Sequence, residues 1–285
     1  MYTKIIAGTD LSDTAKIATD RAAMLASKLG AELTLLHAGS DPGEPLAELG
    51  REYGATAEAV SGAPADVLVA EAEKRGADLL VVGSVGMTGA RRFLLGSVPN
   101  KVSHHAGTDL LIVKTNPPKS KGEYQKILVG TDGSPTAMRA LDVACDFGAK
   151  LGTQVACVCA YEPPTEREME HFRSDPADPL VQWKAGNLER GTPEEFRWRI
   201  AAASQAEDVL ERAAEHAGQR GVEAEVHALK GNPAEVLITF AENEDVDLIA
   251  VGSVGMTGPK RFMLGNVPNR VSHHSPTDVL IIHTA

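Results

Sequence analysis

Two glycine-rich stretches of nearly the same sequence are the residues of this chain whose types and spacing best fit a chemical role. The first runs from Gly83 to Asn100 and reads GSVGMTGARRFLLGSVPN; the second runs from Gly252 to Asn269 and reads GSVGMTGPKRFMLGNVPN. Each follows a short apolar run that predicts a buried strand. A strand that leads into a glycine-bounded loop and then into a helix presents main-chain N–H groups to an anion. The sequence therefore indicates an anion-binding loop in two copies.

The spacing within each stretch explains why it could hold a ligand. Gly83 and Gly86 flank a predicted tight turn, where a Cβ would keep a ligand away from the main chain. Ser97 fits the N-cap or first turn of a helix, and Pro99 is tolerated there because the first helical N–H groups have no partner within the helix. A glycine-rich turn without a ligand is the alternative for either copy, because short glycine patterns often match by chance.

The elements that must position these loops recur along the chain. Apolar runs predict strands at 4–7, 32–38, 57–61, 78–82 and 109–113, alternating with helices. Residues 126–152 match residues 4–30 at an offset of 122, and the glycine-rich stretches match at an offset of 169. Strands that alternate with helices predict a parallel sheet covered on both faces. We therefore predict two α/β domains, residues 1–116 and 117–285, joined by a Pro- and Lys-containing linker.

The second half is longer than the first between its second and fourth strands. The difference between the offsets, 169 and 122, leaves 47 additional residues. We predict an extra helix from Pro193 to Gly218 and an inserted arm at about 162–192, which is polar and interrupted by prolines. The arm could cover a ligand or contact a neighbouring molecule, and a solvated loop is the default interpretation.

Length, composition and charge exclude several classes of function. The chain has 285 residues, 43% of them hydrophobic, and a formal net charge of -11. A nucleic-acid partner would require a surplus of Lys and Arg, so we expect none. No apolar run reaches the ~20 residues of a membrane helix, so we expect no membrane span. Three cysteines without a framework spacing and the absence of a signal-peptide pattern predict a cytoplasmic protein.

An acidic residue follows the first strand of each half, at Asp10 and Asp132. In doubly wound sheets, ligands bind beyond the carboxyl ends of the strands, where the strand order reverses. If the first and fourth strands are neighbours, the acid and the glycine loop face one crevice. We expect the acid at the end of the ligand away from the phosphates, because like charges repel. A nucleotide across this crevice, with its ribose or base near the acid, fits that arrangement.

The motif G-x2-G-x9-G-[S/T] after a fourth strand, with G-T-D after the first, resembles the universal stress protein family in its tandem form. The resemblance covers nearly the whole chain except the arm. It implies a Rossmann-like, adenine nucleotide alpha hydrolase-like fold with a five-stranded parallel sheet of order 3-2-1-4-5 in each half. It also implies that the halves pair through their last strands, Asp109–Val113 and Asp278–Ile282, and it leaves open a homodimer.

The resemblance to ATP-binding members implies an adenine nucleotide, ATP first, with Mg²⁺ as a further cofactor. The implied nucleotide-binding residues of the first half are Gly8, Thr9, Asp10, Ala38, Val82, Gly83, Ser84, Gly86, Gly96, Ser97 and Val98. Those of the second half are Gly130, Thr131, Asp132, Ala160, Val251, Gly252, Ser253, Gly255, Gly265, Asn266 and Val267.

The second half departs from the family pattern at one of these positions. Asn266 stands where the family has Ser or Thr, although an amide can still donate a hydrogen bond. In both halves a valine, Val85 or Val254, stands where many members have a polar residue. Similar Val-Gly versions occur in members that resemble cyclic-AMP binders, so cyclic AMP is an alternative ligand.

Other chemistries fit these residues less well. No Lys follows the glycines as it does in a P-loop, and no G-x-G-x-x-G follows a first strand. The pairs at 104–105 and 273–274 are histidines that could attract a metal, but we predict no metal site and no catalytic residue. The basic pairs at 91–92 and 260–261 could reach a phosphate tail or be solvated.

Three functional hypotheses follow from the sequence. The first is a regulator that binds nucleotide with little turnover, since neither a general base nor an arginine finger is evident. The second is a slow ATPase in which Asp10 orients a water molecule. The third is an interaction platform with empty sites that works through the inserted arm.

Overall fold

Strands and helices alternate through both halves of the computed structural model, which describes residues 1–85, 95–115, 122–162, 194–255 and 264–283, with the backbone alone at 194–201. The first half contains β1 (Lys4–Thr9), α1 (Asp13–Leu29), β2 (Glu32–Ala38), α2 (Glu44–Tyr53), β3 (Thr56–Val60), α3 (Pro64–Arg75), β4 (Leu79–Gly83), α4 (Ser97–His105) and β5 (Asp109–Val113). The second half contains β6 (Lys126–Gly130), α5 (Pro135–Leu151), β7 (Gln154–Tyr161), α6 (Glu194–Gln219), β8 (Ala224–Lys230), α7 (Pro233–Asn243), β9 (Leu248–Gly252), α8 (Asn266–His274) and β10 (Asp278–Ile282).

The described strands form one ten-stranded sheet in the order β3-β2-β1-β4-β5-β10-β9-β6-β7-β8. Within each half all pairs are parallel, in the 3-2-1-4-5 order of the predicted doubly wound fold, so the prediction of fold class is confirmed. The strands β5 and β10 pair antiparallel, with Leu111 opposite Leu280. These two leucines are related by the offset of 169, so a pseudo-two-fold axis passes between them and relates the two halves.

Local signals in the sequence explain where α1 and α5, the first helices of the two halves, begin and end. The hydroxyl of Ser12 accepts the N–H of Ala15 at the start of α1, and Gly30 ends the helix at φ 69°. The hydroxyl of Ser134 and Gly152, at φ 72°, do the same for α5. A serine N-cap and a left-handed glycine C-cap each satisfy backbone groups that a helix end leaves unpaired.

The core is aliphatic because the chain has few aromatic residues. The strands β5 and β10, at the junction of the two halves, are buried along their whole length.

The observed bounds of two elements lie close to the predicted ones. β1 extends to Thr9, two residues beyond its predicted end, because its pairing with β2 continues to His37. Most of the predicted arm lies outside the described residues, and α6 begins at Glu194, next to the predicted start. No helix in the described ranges is long and apolar enough to cross a membrane.

Candidate functional site

A cavity of about 480 Å³ lies at the carboxyl ends of the strands in the second half. Its volume is within the range of small-molecule sites. Ten of the residues predicted for the second site line this cavity. They are Gly130, Thr131, Asp132, Ala160, Val251, Gly252, Gly255, Gly265, Asn266 and Val267. Residues more than a hundred positions apart in the sequence therefore meet at one crevice, where β6 and β9 lie side by side.

Ser253 joins the two ends of the glycine loop and does not line the cavity. Its N–H donates to the carbonyl of Ile282 at 2.7 Å, and its carbonyl accepts the N–H of Gly265 at 2.7 Å. In the first half, the N–H of Ser84 donates to Val113 at 2.7 Å and its carbonyl accepts the N–H of Gly96 at 2.8 Å. Both loops therefore leave and re-enter the fold in the same way. Residues 86–94 and 256–263, which include Gly86 and both basic pairs, lie outside the described part of the chain.

The helix α8 begins at the rim of the cavity, with Gly265 as its N-cap. The N–H of Asn269 donates to Gly265 at 3.1 Å, whereas those of Asn266 and Val267 precede the first helical hydrogen bond, and Pro268 has no N–H. Such first-turn donors favour an anion. In the first half, Gly96 is likewise the N-cap of α4, so Ser97 and Val98 lie in the first turn.

The carboxylate of Asp132 lies beside the glycine loop. Its Oδ1 accepts the N–H of Ser134 at 2.9 Å, within the turn that caps α5. A Cβ placed on Gly255 would be 2.8 Å from Oδ2. The expectation that the acid stands at the far end of the crevice from the loop is therefore wrong for the second half. Among the described residues that line the cavity, Asp132 has the only charged side chain.

The turn after β1 holds Asp10 in a similar way. Its Oδ1 accepts the N–H of Ser12 at 3.1 Å and the hydroxyl of Ser12 at 2.5 Å. The residue between them, Leu11, has a φ of 63°, and its counterpart Gly133 has a φ of 78°. A left-handed backbone is unfavourable for leucine and easy for glycine, so the first half forms the same turn at a greater cost in backbone strain.

The remaining predicted residues of the first half lie at the ends of neighbouring strands. Thr9, Val82 and Ser84 are buried. Gly8 lies in β1, and Ala38, the last residue of β2, pairs with Val60. Since β1 pairs with both β2 and β4, these strand ends meet at the same edge of the sheet as the acid and the loop.

Close packing against α5 accounts for the glycine at the end of β9. A Cβ on Gly252 would lie 2.5 Å from the Oγ1 of Thr136 and 2.9 Å from its carbonyl carbon. The hydroxyl of Thr136 donates to the carbonyl of Val254, two residues after Gly252. Contact between strand and helix therefore requires a glycine at this position.

Several lining residues were not predicted from the sequence. They are Ser134, Ala137, Val158, Pro233, Leu237, Val254, Leu264 and Pro268. Most are apolar, and they give the cavity a wall suited to a flat ring. A signal was available for two of them, because Pro233 and Leu237 repeat Pro64 and Leu68 at the same offset of 169 as the glycine loops.

The thiols and histidines of the described residues form no second candidate site. Cys145, Cys157 and Cys159 are buried free thiols, and burial raises the pKa of Cys157 to about 12. Such thiols are poor nucleophiles and metal ligands. The Nε2 of His273 lies 3.1 Å from the Oδ1 of Asn100 across the two halves. Within the described ranges, no group of three or more His, Cys, Asp or Glu residues could hold a metal ion.

Comparison with known proteins assigns the family. The model of the universal stress protein family matches residues 1–60, 46–114 and 123–283, and the chain belongs to this family. The universal stress protein Rv1636 of Mycobacterium tuberculosis is 30% identical over 162 residues, which are 56% of this chain and 97% of that protein.

Solved structures share the fold over both halves. A universal stress protein of Archaeoglobus fulgidus has a TM-score of 0.66 at 20% identity, and the match covers 99% of this chain and 98% of that one. A universal stress protein solved in complex with cAMP is 27% identical, with a TM-score of 0.38, over 57% of this chain and 99% of that one.

Proposed function

We propose that this protein is a regulator that binds an adenine nucleotide, ATP first, at one or both of its glycine-loop sites. The observation that carries the proposal is the cavity of about 480 Å³ in which the first turn of α8, the glycine loop and Asp132 meet. The N–H groups of Asn266 and Val267 suit phosphate oxygens. The apolar side chains of Val158 and Leu237 suit the adenine ring.

A Mg²⁺ ion is proposed as the second ligand because of the position of Asp132. A phosphate near Gly255 would be close to the Oδ2 of Asp132, and two negative charges at that distance repel each other. Proteins usually hold Mg²⁺ through one or two carboxylates together with phosphates of the substrate. The donor set therefore fits the ion, with Asp132 in the second half and Asp10 in the first.

We propose little turnover at these sites. The Oδ1 atoms of Asp10 and Asp132 accept hydrogen bonds from Ser12 and Ser134. No histidine, lysine or arginine is among the described residues that line the cavity, so these residues supply no cationic side chain to stabilise a phosphoryl group in transfer. A sensor that reports bound nucleotide fits this lining better than an ATPase with rapid turnover.

The sharpest test places a negative charge at the proposed phosphate position without harming the fold. An acid in the first turn of a helix is favourable, so Asn266→Asp and Ser97→Asp should leave α8 and α4 intact. Calorimetric titration with ATP and Mg²⁺ should show binding to the wild type, weakened at least about tenfold in the double variant. Asn266→Ser, which copies the first half, is the matched control and should bind ATP as the wild type does.

The same titration separates the alternatives. Absence of binding at millimolar nucleotide, or binding unchanged in the double variant, would contradict the proposal. Competition by cyclic AMP that displaces ATP would favour the cyclic nucleotide, and phosphate release above a blank without protein would favour the slow ATPase.

We further propose that residues 1–116 and 117–285 act as two nucleotide-binding domains of one cytoplasmic protein. Buried free thiols fit a reducing compartment. Native mass spectrometry of the purified protein should show nucleotide bound to each chain, and the same spectrum would detect a homodimer. A spectrum of the bare chain alone would count against occupied sites in the purified protein.

A further inference from the structure

A second cavity, of about 280 Å³, lies between the two halves, where the amino end of β5 lies beside the carboxyl end of β10. The first half contributes Tyr2 and Asp109, at the amino ends of β1 and β5. The second half contributes Val143 and Phe147 from α5, together with His283 after β10. None of these residues belongs to the proposed nucleotide sites.

The pseudo-two-fold axis gives this cavity a counterpart, and there Arg21 occupies the corresponding position. The offsets of 122 and 169 relate Tyr2 to Tyr124, Val143 to Arg21 and Asp109 to Asp278. Arg21 is only 4% exposed, and its Nε donates to the Oδ2 of Asp278 at 3.1 Å. Its guanidinium carbon lies 4.5 Å from the centre of the Tyr124 ring. The chain itself therefore shows how these surroundings hold a guanidinium group.

The acceptors around the cavity repeat those around Arg21. The hydroxyl of Tyr2 donates to the Oδ2 of Asp109 at 3.1 Å, as that of Tyr124 donates to Asp278 at 2.9 Å. The N–H of His283 donates to the Oδ1 of Asp109 at 2.8 Å. The N–H of Lys114 makes the same bond to Asp278, also at 2.8 Å.

The cavity and its counterpart differ in the basic side chain beside the carboxylate. Val143 stands at the position of Arg21 and is too short to reach the carboxylate. Arg139, one turn earlier in α5, is 42% exposed, and its Nη2 lies 3.5 Å from the Oδ2 of Asp109. That distance is beyond a good hydrogen bond, so Asp109 is held less closely than Asp278. Burial raises the pKa of the Asp109 carboxyl, although Arg139 opposes the effect.

We propose that this cavity binds a small organic cation, a guanidinium or primary amine on a short alkyl chain, in the position that Arg21 occupies in the counterpart. Asp109 accepts its N–H groups, the Tyr2 ring lies against its face, and Val143 and Phe147 contact its alkyl chain. Three carboxylates line this cavity, those of Asp78, Asp109 and Asp146, against two cations, the Arg139 guanidinium and the Met1 amino group, so the balance of charge favours a cation over an anion.

Calorimetric titration of the full chain with butylguanidinium tests the proposal, with butylurea as its uncharged isostere. Any purification tag belongs at the carboxyl end, because Met1 lines the cavity. We expect one butylguanidinium per wild-type chain and no binding of butylurea. Val143→Arg, which copies Arg21, should abolish binding, and Asp109→Asn should weaken it about tenfold or more. Asn266→Asp, at the nucleotide cavity, should leave it unchanged.

The reverse substitution provides a positive control within the same chain. Arg21→Val should open the counterpart and raise the stoichiometry to two, or, if the variant folds poorly, butylguanidinium should raise its Tm more than butylurea does. The proposal is overturned if the wild type does not bind butylguanidinium, if butylurea binds equally well, or if both Val143→Arg and Asp109→Asn bind as the wild type does.

Discussion

Gly252 and Gly83 occupy the same place in the two halves but have different neighbours. A Cβ on Gly252 would lie 2.5 to 2.9 Å from three atoms of Thr136, one of them in the backbone. At Gly83 the nearest atoms would be 3.4 Å away, on Thr115 and Val85, which is ordinary contact. Helix packing therefore requires glycine at position 252 in the second half, whereas position 83 in the first half is less constrained.

We predict that Gly252→Ala lowers the free energy of unfolding by about 2 kcal/mol or more, because α5 must move to admit the methyl group. Gly83→Ala should cost less than about 1 kcal/mol, because its methyl group fits without a shift. Urea unfolding of the two variants measures the difference. Equal losses would show that the contact with Thr136 does not decide the residue at this position.

At the scale of single elements, the turns before α1 and α5 combine a helix cap with a site residue. The hydroxyl of Ser134 accepts the N–H of Ala137 at 3.3 Å, and the N–H of Ser134 donates to the Oδ1 of Asp132 at 2.9 Å. Ser12 caps α1 and holds Asp10 in the same way. The helix start therefore fixes the direction of the acid at the end of each first strand.

We predict that Ser134→Ala and Ser12→Ala each lower the free energy of unfolding by about 1 kcal/mol, the usual effect of losing a serine N-cap. Chemical denaturation measures both losses. Ser12→Ala also removes the hydroxyl that donates to Asp10, so its loss should be the larger of the two. No loss in either variant would show that the capping bonds do not contribute to stability.

At the scale of the whole molecule, polar groups join the halves on both sides of the β5–β10 pair. The Oδ1 of Asp278 accepts the N–H of Lys114, and the Oδ1 of Asp109 accepts the N–H of His283, each at 2.8 Å. The Nζ of Lys114 also donates to the carbonyl of Ser272 in α8, at 2.7 Å. A lysine of the first half thus contacts the helix whose first turn lines the nucleotide cavity of the second half.

Lys114 gives the junction a predicted dependence on pH. Burial lowers the pKa of Lys114 from 10.5 to about 8, although Asp278 opposes the shift. Between these two pH values the unfolded chain binds more protons than the folded one, so the contribution of Lys114 to stability rises with pH. Relative to Lys114→Met, the free energy of unfolding of the wild type should rise by about 2 to 3 kcal/mol from pH 7 to pH 10.

Urea unfolding of both proteins at pH 7, 8, 9 and 10 measures this difference. The comparison with Lys114→Met cancels the groups that titrate in both proteins. A difference that does not change with pH would show that Lys114 keeps an ordinary pKa in the folded protein.

Local patterns were enough to predict much of the fold. The strand order was implied by the resemblance to the universal stress protein family, whereas the apolar runs and the repeat at two offsets predict the alternating elements. They do so because helix ends, strand burial and sequence repeats depend on neighbouring residues or on a motif that can be read directly. The resemblance that the glycine motifs carry implied ten of the residues that line the second-half cavity, whereas the eight others, most of them apolar, were not predicted.

The sequence by itself thus determined the class of fold, the duplication and ten of the residues that line the candidate crevice. Only the tertiary structure decided that Asp132 lies beside Gly255, that Gly252 packs against Thr136, and that Val143 leaves open the space that Arg21 fills in the other half. The physical reason is distance along the chain. The pairs Asp132 and Gly255, Thr136 and Gly252, and Arg21 and Asp278 each join residues more than a hundred positions apart, and no local pattern specifies how closely such residues approach.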